Sequence, residues 1–212
     1  MVHAAGASVV TAAARAVSDF RILLPPGWAR VPLDGRAPLR IKNLVTERVR
    51  DLPAPRRAEL RPWLARELTA AVAAAARHGG IDVLLSVDPV AGRPVPASGL
   101  ITHVRGRGDG TLESLLRTLG SGGEGVRVRE LGVVEVAGAR AVRRLTSRQE
   151  KVPDEDGGPG AVLTVTQVDF FVPVPGSDGL LLLTFSTPVE QLGPPLVKLF
   201  DVMGGSLRWV SS

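Results

Sequence analysis

Three histidines and no cysteine bound the chemistry open to this chain of 212 residues. Without cysteine there is no disulfide, no thiol nucleophile, no thiolate zinc site and no lipid-modified N-terminal cysteine. His3, His78 and His103 show neither an HxxxH nor an HExxH spacing, so no helix face offers two imidazoles to one metal ion. His3 lies in an Ala-rich leader, and His78 closes a helix-forming run, where a cation suits the helix dipole. His103 is the one candidate general base. It shares a strand face with Ile101 and Arg105, and to act it needs a nucleophile such as Ser98 or Ser114 and a carboxylate such as Asp109. The local sequence carries no signature of such a triad, and a surface-facing histidine is the plainer reading.

Two loops have the composition of ligand sites without their spacing. Gly106-Arg107-Gly108-Asp109-Gly110 contains Arg-Gly-Asp and half of a phosphate-cradling loop. It lacks the Lys-Ser/Thr ending of a P-loop and the third glycine of a dinucleotide fingerprint. It reads as a strand-to-helix connection, with the general anion affinity of any helix N-terminus. Asp154-Glu155-Asp156-Gly157 has the acid density of a calcium loop but not its alternate spacing or terminal Glu. Elsewhere the acids sit beside arginines, as at Glu47-Arg48 and Arg66-Glu67, which is ordinary surface charge rather than paired carboxylates for glycosidic chemistry. No catalytic, cofactor-binding or metal-ligating residue is therefore assigned, and no cofactor is implied.

The elements that would position any site follow from periodicity. Phe20-Arg21-Ile22-Leu23-Leu24 reads as a strand stopped by Pro25-Pro26-Gly27, and a second extended piece carries Trp28 and Val31. Ile41, Leu44, Val45, Val49 and Leu52 then recur at helical spacing, and Pro53 and Pro55 close that helix. Leu60, Leu64, Leu68, Val72 and Ala75 predict a longer helix in which Pro62 either starts it or kinks it, with His78-Gly79-Gly80 as the stop. Strands at 81–87 and 99–105, a short amphipathic helix at 111–119 and a hairpin of 126–136 with 140–149 follow. The strongest β signal is at 161–187, where both faces of the first strand are apolar and Leu180 to Phe185 returns. This predicts a central antiparallel hairpin covered by a last helix around 189–203, with Trp28 and Trp209 both substantially buried.

Composition narrows the class. Hydrophobic residues make up 44% of the chain, ample for one core, but aromatics are only 4%, so that core is built from Val, Leu and Ala. The formal charge of +5 comes with three lysines against 23 arginines, the bias of a GC-rich coding sequence. The arginines are scattered and no tyrosine is present, which argues against nucleic acid as the partner. No apolar run reaches the ~20 residues a membrane helix needs. The N-terminal Ala/Gly stretch has no preceding Lys or Arg and is too weakly apolar for a secretory segment, so the expected location is cytoplasmic.

The two ends carry a resemblance. The opening from Phe20 to Pro25-Pro26-Gly27-Trp28 resembles the Pro-x-Gly-Trp start of the Mog/PsbP-like superfamily. The close, from Leu183-Thr184-Phe185-Ser186-Thr187-Pro188 through Leu199-Phe200-Asp201 to Ser206-Leu207-Arg208-Trp209, is similar to its last helix and tail. The chain looks most like proteins of high-GC bacteria that share these two ends. The resemblance implies an antiparallel sheet between helices and a binding role, with no catalytic residues to carry over. The expectation is thus an α+β fold, an antiparallel sheet of about six strands packed against helices, with residues 1–18 a loosely docked leader and 19–212 one domain. Its expected function is that of a non-enzymatic interaction or adaptor module whose partner is a protein. The alternatives are a small-ligand carrier with a pocket between sheet and helix, and a hydrolase using His103.

Overall fold

The computed structural model describes residues 17–88, 95–104, 111–152 and 160–211, so the leader through residue 16 and the loops at 106–110 and 154–158 lie outside the described residues. In chain order the elements are β1 (Val17–Arg21), β2 (Trp28–Pro32), α1 (Ala37–Arg48), α2 (Ala54–Arg77), β3 (Gly80–Ser86), β4 (Ser98–Val104) and α3 (Leu112–Gly120). They continue with β5 (Val126–Val136), β6 (Ala139–Val152), β7 (Ala161–Pro173), β8 (Leu180–Thr187), α4 (Gly193–Gly205) and β9 (Arg208–Ser211). The fold is α+β.

Seven strands, one more than expected, form a wholly antiparallel sheet in the order β2-β3-β4-β8-β7-β6-β5. The β7–β8 hairpin is central, as the two-sided apolar pattern of 161–173 requires. The tail Arg208–Ser211 forms its own two-stranded ribbon with β1. Four residues are too few to show alternation, which is why this strand escaped notice in the sequence.

The central row of one sheet face is apolar. Leu84, Gly99, Phe185, Val168 and Leu145 are cross-strand neighbours in one buried row. α4 covers that row with Leu196, Phe200 and Met203, all buried, each worth about 1.5–3 kcal/mol by burial. The few aromatics concentrate here: Phe185 stacks on Phe200 at 5.4 Å, while Trp28 and Phe170 meet that pair edge-on. Gly204 is where α4 touches the sheet, since a Cβ there would enter the Phe170 ring. Trp28 and Trp209 are each partly buried against this core.

Turns and ion pairs fix the edges. Trp28 N donates to Pro25 O at 3.2 Å with Gly27 at φ +82°, the positive φ that a Pro-Gly turn places at its third position. Arg30 Nη2 lies 2.6 Å from the buried Asp82 Oδ2 and its guanidinium caps the Phe20 ring at 4.9 Å, holding the terminal ribbon against the sheet edge. Arg143 donates to both oxygens of Asp201 and to Glu130, pinning α4 to β6 and β5. Both arginines are pushed up from their ordinary value, chiefly by the side-chain hydrogen bonds to Asp82 and Asp201 and against the desolvation that opposes them.

Candidate functional site

The other sheet face is covered at its two ends. The α1–α2 hairpin lies over β2 and β3, and α3 lies against β5 and β6. In α1, Ala37, Ile41 and Val45 repeat every four residues and are all buried, so α1 lays one stripe onto Val31 and Val83. α2 runs for 24 residues but buries only Val72 fully. Its proline residues explain its limits: Pro55 sits in the first turn, where no amide is needed, while Pro62 is interior. The start at Ala54 settles one alternative, since Pro62 does not begin the helix.

The Ala-rich second half of α2 gives that helix a low wall, and the space it leaves is an open groove of about 620 Å³ between α1 and α2. Ala37, Ile41, Val45 and Val72 form its floor. Pro62, Ala73 and Ala76 are among the exposed residues of its walls. The pocket expected between sheet and helix thus lies between two helices. The sheet side of the hairpin is packed by Val31, Val83 and their neighbours.

The groove is charged unevenly. Asp34 stands at one end, and Lys42 and Arg61 stand toward the other. Asp34 is used locally, accepting from Arg36 N at 2.8 Å. Among the described residues neither cation pairs with a carboxylate; Arg61 reaches only Thr46 Oγ1, at 3.4 Å. Residues 34–77 hold ten basic and five acidic side chains, which equals the whole +5 of the chain. Residues 126–152 carry a further +4, which the acids of 153–212 offset in the total. Trp63, half exposed, lies outside the groove, in a separate hollow with Pro55, Arg56, Glu59 and Leu60.

The histidine reading fares differently. His103 is exposed near the end of β4 and lies over Gly179, its Nε2 2.8 Å from where a Cβ on that residue would be. Ser98 is five residues away along the same strand, ~17 Å at 3.4 Å per residue, and points to the opposite face. There it meets Ser186, with the two hydroxyls 3.4 Å apart. Strand geometry therefore separates His103 from that nucleophile. Ser114 is in the first turn of α3, where its amide donates to Thr111 Oγ1, and Asp109 lies outside the described residues. Among the described residues no group of three or more His, Asp or Glu side chains is placed to hold a metal ion. No helix among them is long and apolar enough to cross a membrane.

Between the two helical covers runs a polar row that sequence reasoning missed. Across the sheet, Val83, Leu100, Thr184, Asp169, Arg144 and Leu131 are successive neighbours. Asp169 is 1% exposed and accepts four hydrogen bonds, two from Arg144 at 2.8 and 3.0 Å, one from Gln167 and one from Thr184. Arg148 continues the row, donating to Gln167 at 2.7 Å. Arg144 also lies over the Phe171 ring at 5.6 Å. Each of these side chains bonds to another across or along the strands, so the row locks strand register. The available signal was Asp169 itself, an acid set between Val168 and Phe170 in the most apolar strand.

No protein-family profile matches the chain, and no curated protein matches it in sequence. Solved structures do. LpqN of Mycobacterium tuberculosis, described as involved in cell envelope biogenesis, is 14% identical with a TM-score of 0.48, covering 90% of this chain and 83% of that one. The Ran-binding protein Mog1p of Saccharomyces cerevisiae is 10% identical with a TM-score of 0.49, covering 91% and 90%. A cyanobacterial PsbP from Synechocystis is 13% identical with a TM-score of 0.41, covering 90% and 86%. Mog and PsbP structures thus stand among those similar to this chain, as the two ends suggested, and overlaps of this size say nothing of what it binds.

Proposed function

We propose that this chain is a non-enzymatic interaction module that docks a protein partner on its α1–α2 hairpin. The observation that carries the reading is the open apolar groove of about 620 Å³, rimmed by Lys42 and Arg61 on a hairpin of net charge +5. Exposed apolar patches rimmed by polar residues mark interaction sites. The separation of His103 from Ser98 supports leaving catalysis out of the proposal. A photo-crosslinker placed at Ala73 tests it in lysate of the source organism. The expected product is a discrete protein adduct that disappears when Thr69→Trp, which fills the groove, is added to the crosslinker-bearing chain without changing its melting temperature. Adducts that survive that variant, or that form equally at a control position on β5, sink the reading. A cytoplasmic location belongs to the same proposal, and cell fractionation checks it.

The groove volume also falls in the ~300–1,000 Å³ range of small-molecule sites, which keeps a carrier as the second reading. Native mass spectrometry of the purified protein decides between them, because a carrier retains a bound mass lost on filling the groove.

A further inference from the structure

We infer that the occupant of the α1–α2 groove is an acidic amphipathic helix of about three turns, a deduction that rests on the interaction-module reading above. Length comes first. α1 has 12 residues, ~18 Å at 1.5 Å per residue, and a helix lying beside it presents about as many residues to the groove.

Shape comes second. Eight of the fourteen groove residues are exposed, so an occupant buries one face and leaves the other in water. Small-molecule sites bury ~70–90% of their ligand. A one-sided apolar trough between two helices fits an amphipathic helix, which offers anchors at i, i+3, i+4 and i+7 and keeps its polar face wet.

Charge comes third. Lys42 and Arg61 rim the trough without carboxylate partners among the described residues, on a hairpin carrying +5. A basic helix would add repulsion there, whereas carboxylates flanking the apolar stripe complete both ion pairs and steer the approach. Asp34 marks the other end, so the occupant's acidic residues gather over Lys42 and Arg61.

The test uses the full chain and three labelled peptides of about four turns, read by fluorescence anisotropy. One carries Leu at the four anchor positions and Glu elsewhere. The second replaces each Glu by Lys, and the third keeps the Glu peptide's composition with its apolar positions shuffled. The Glu amphipath is expected to bind at least about tenfold more tightly than either control, and to weaken as salt rises from ~0.05 to ~0.5 M. A Lys42→Glu, Arg61→Glu variant should reverse the preference between the Glu and Lys peptides. An Ala73→Trp variant, which fills the trough without touching charge, should lose binding to both.

Equal binding of the Glu and Lys peptides, or binding of the shuffled peptide as tight as that of the amphipath, overturns the inference. So does retention of the protein on anionic phospholipid vesicles that is abolished by the charge reversal and is not competed by the Glu peptide. A crosslinked partner at Ala73 that the Glu peptide fails to displace leaves the interaction module standing and refutes only the acidic helix. Loss of the Ala73 adduct altogether, with the Glu peptide still bound in the trough, refutes the native docking reading instead.

Discussion

Replacing Asp169 by Ala tests whether the polar row holds the sheet together. Asp169 is 1% exposed, and its removal leaves Arg144, whose side chain is 20% exposed, with no anion, and Gln167 and Thr184 with one acceptor fewer. Breaking a buried pair by deleting one partner costs about 3–5 kcal/mol, because the remaining charge stays desolvated. Against a domain stability of ~5–15 kcal/mol that is a large fraction. Arg144→Met alone should cost a similar amount, since it strands Asp169 in the sheet. Asp169→Val with Arg144→Met should return to within about 1 kcal/mol of the parent or exceed it, as apolar replacement of whole buried pairs commonly does. Urea unfolding followed by circular dichroism gives each value, and the double-mutant cycle isolates the coupling. The reasoning fails if Asp169→Ala costs under about 1 kcal/mol, or if the double variant loses the sum of the two single losses.

Gly204→Ala should lower stability by about 1–3 kcal/mol despite the better helix propensity of alanine, because its methyl group would enter the Phe170 ring; a thermal melt at or above that of the parent would contradict this. Pro62→Ala should raise the melting temperature, regaining up to about 3 kcal/mol of helix propensity at an exposed interior position, and a lower melting temperature would show that the proline is fitted to its place. Truncation after Phe185 removes α4 and β9 and bares the Phe170–Phe185 face, so cooperative unfolding should vanish and hydrophobic dye binding should appear. A truncated chain that melts like the full one would show that residues 186–212 are not part of the same cooperative unit.

Local periodicity determined much of this molecule from sequence alone. The apolar repeats of Ile41 and Val45 and of Leu64, Leu68 and Val72 mark the two hairpin helices, and the turn at Ala137-Gly138 marks β5–β6, because side-chain direction repeats every 3.6 or 2 residues whatever lies beyond. The alternation of Val168, Phe170 and Val172 against Val165 and Phe171 foretold a strand covered on both faces, and its position at the centre of the sheet agrees. Tertiary structure alone decided that β4 lies beside β8, that β9 returns to β1, and that Asp169 meets Arg144, Gln167 and Thr184 at one point. These pairings join segments far apart in the chain, and their register is set by which whole faces can be buried together, a condition no local window contains. The groove belongs to the same class: Ile41, Lys42, Arg61 and Ala73 each read as ordinary helix residues, and only the packing of α1 against α2 makes them one surface.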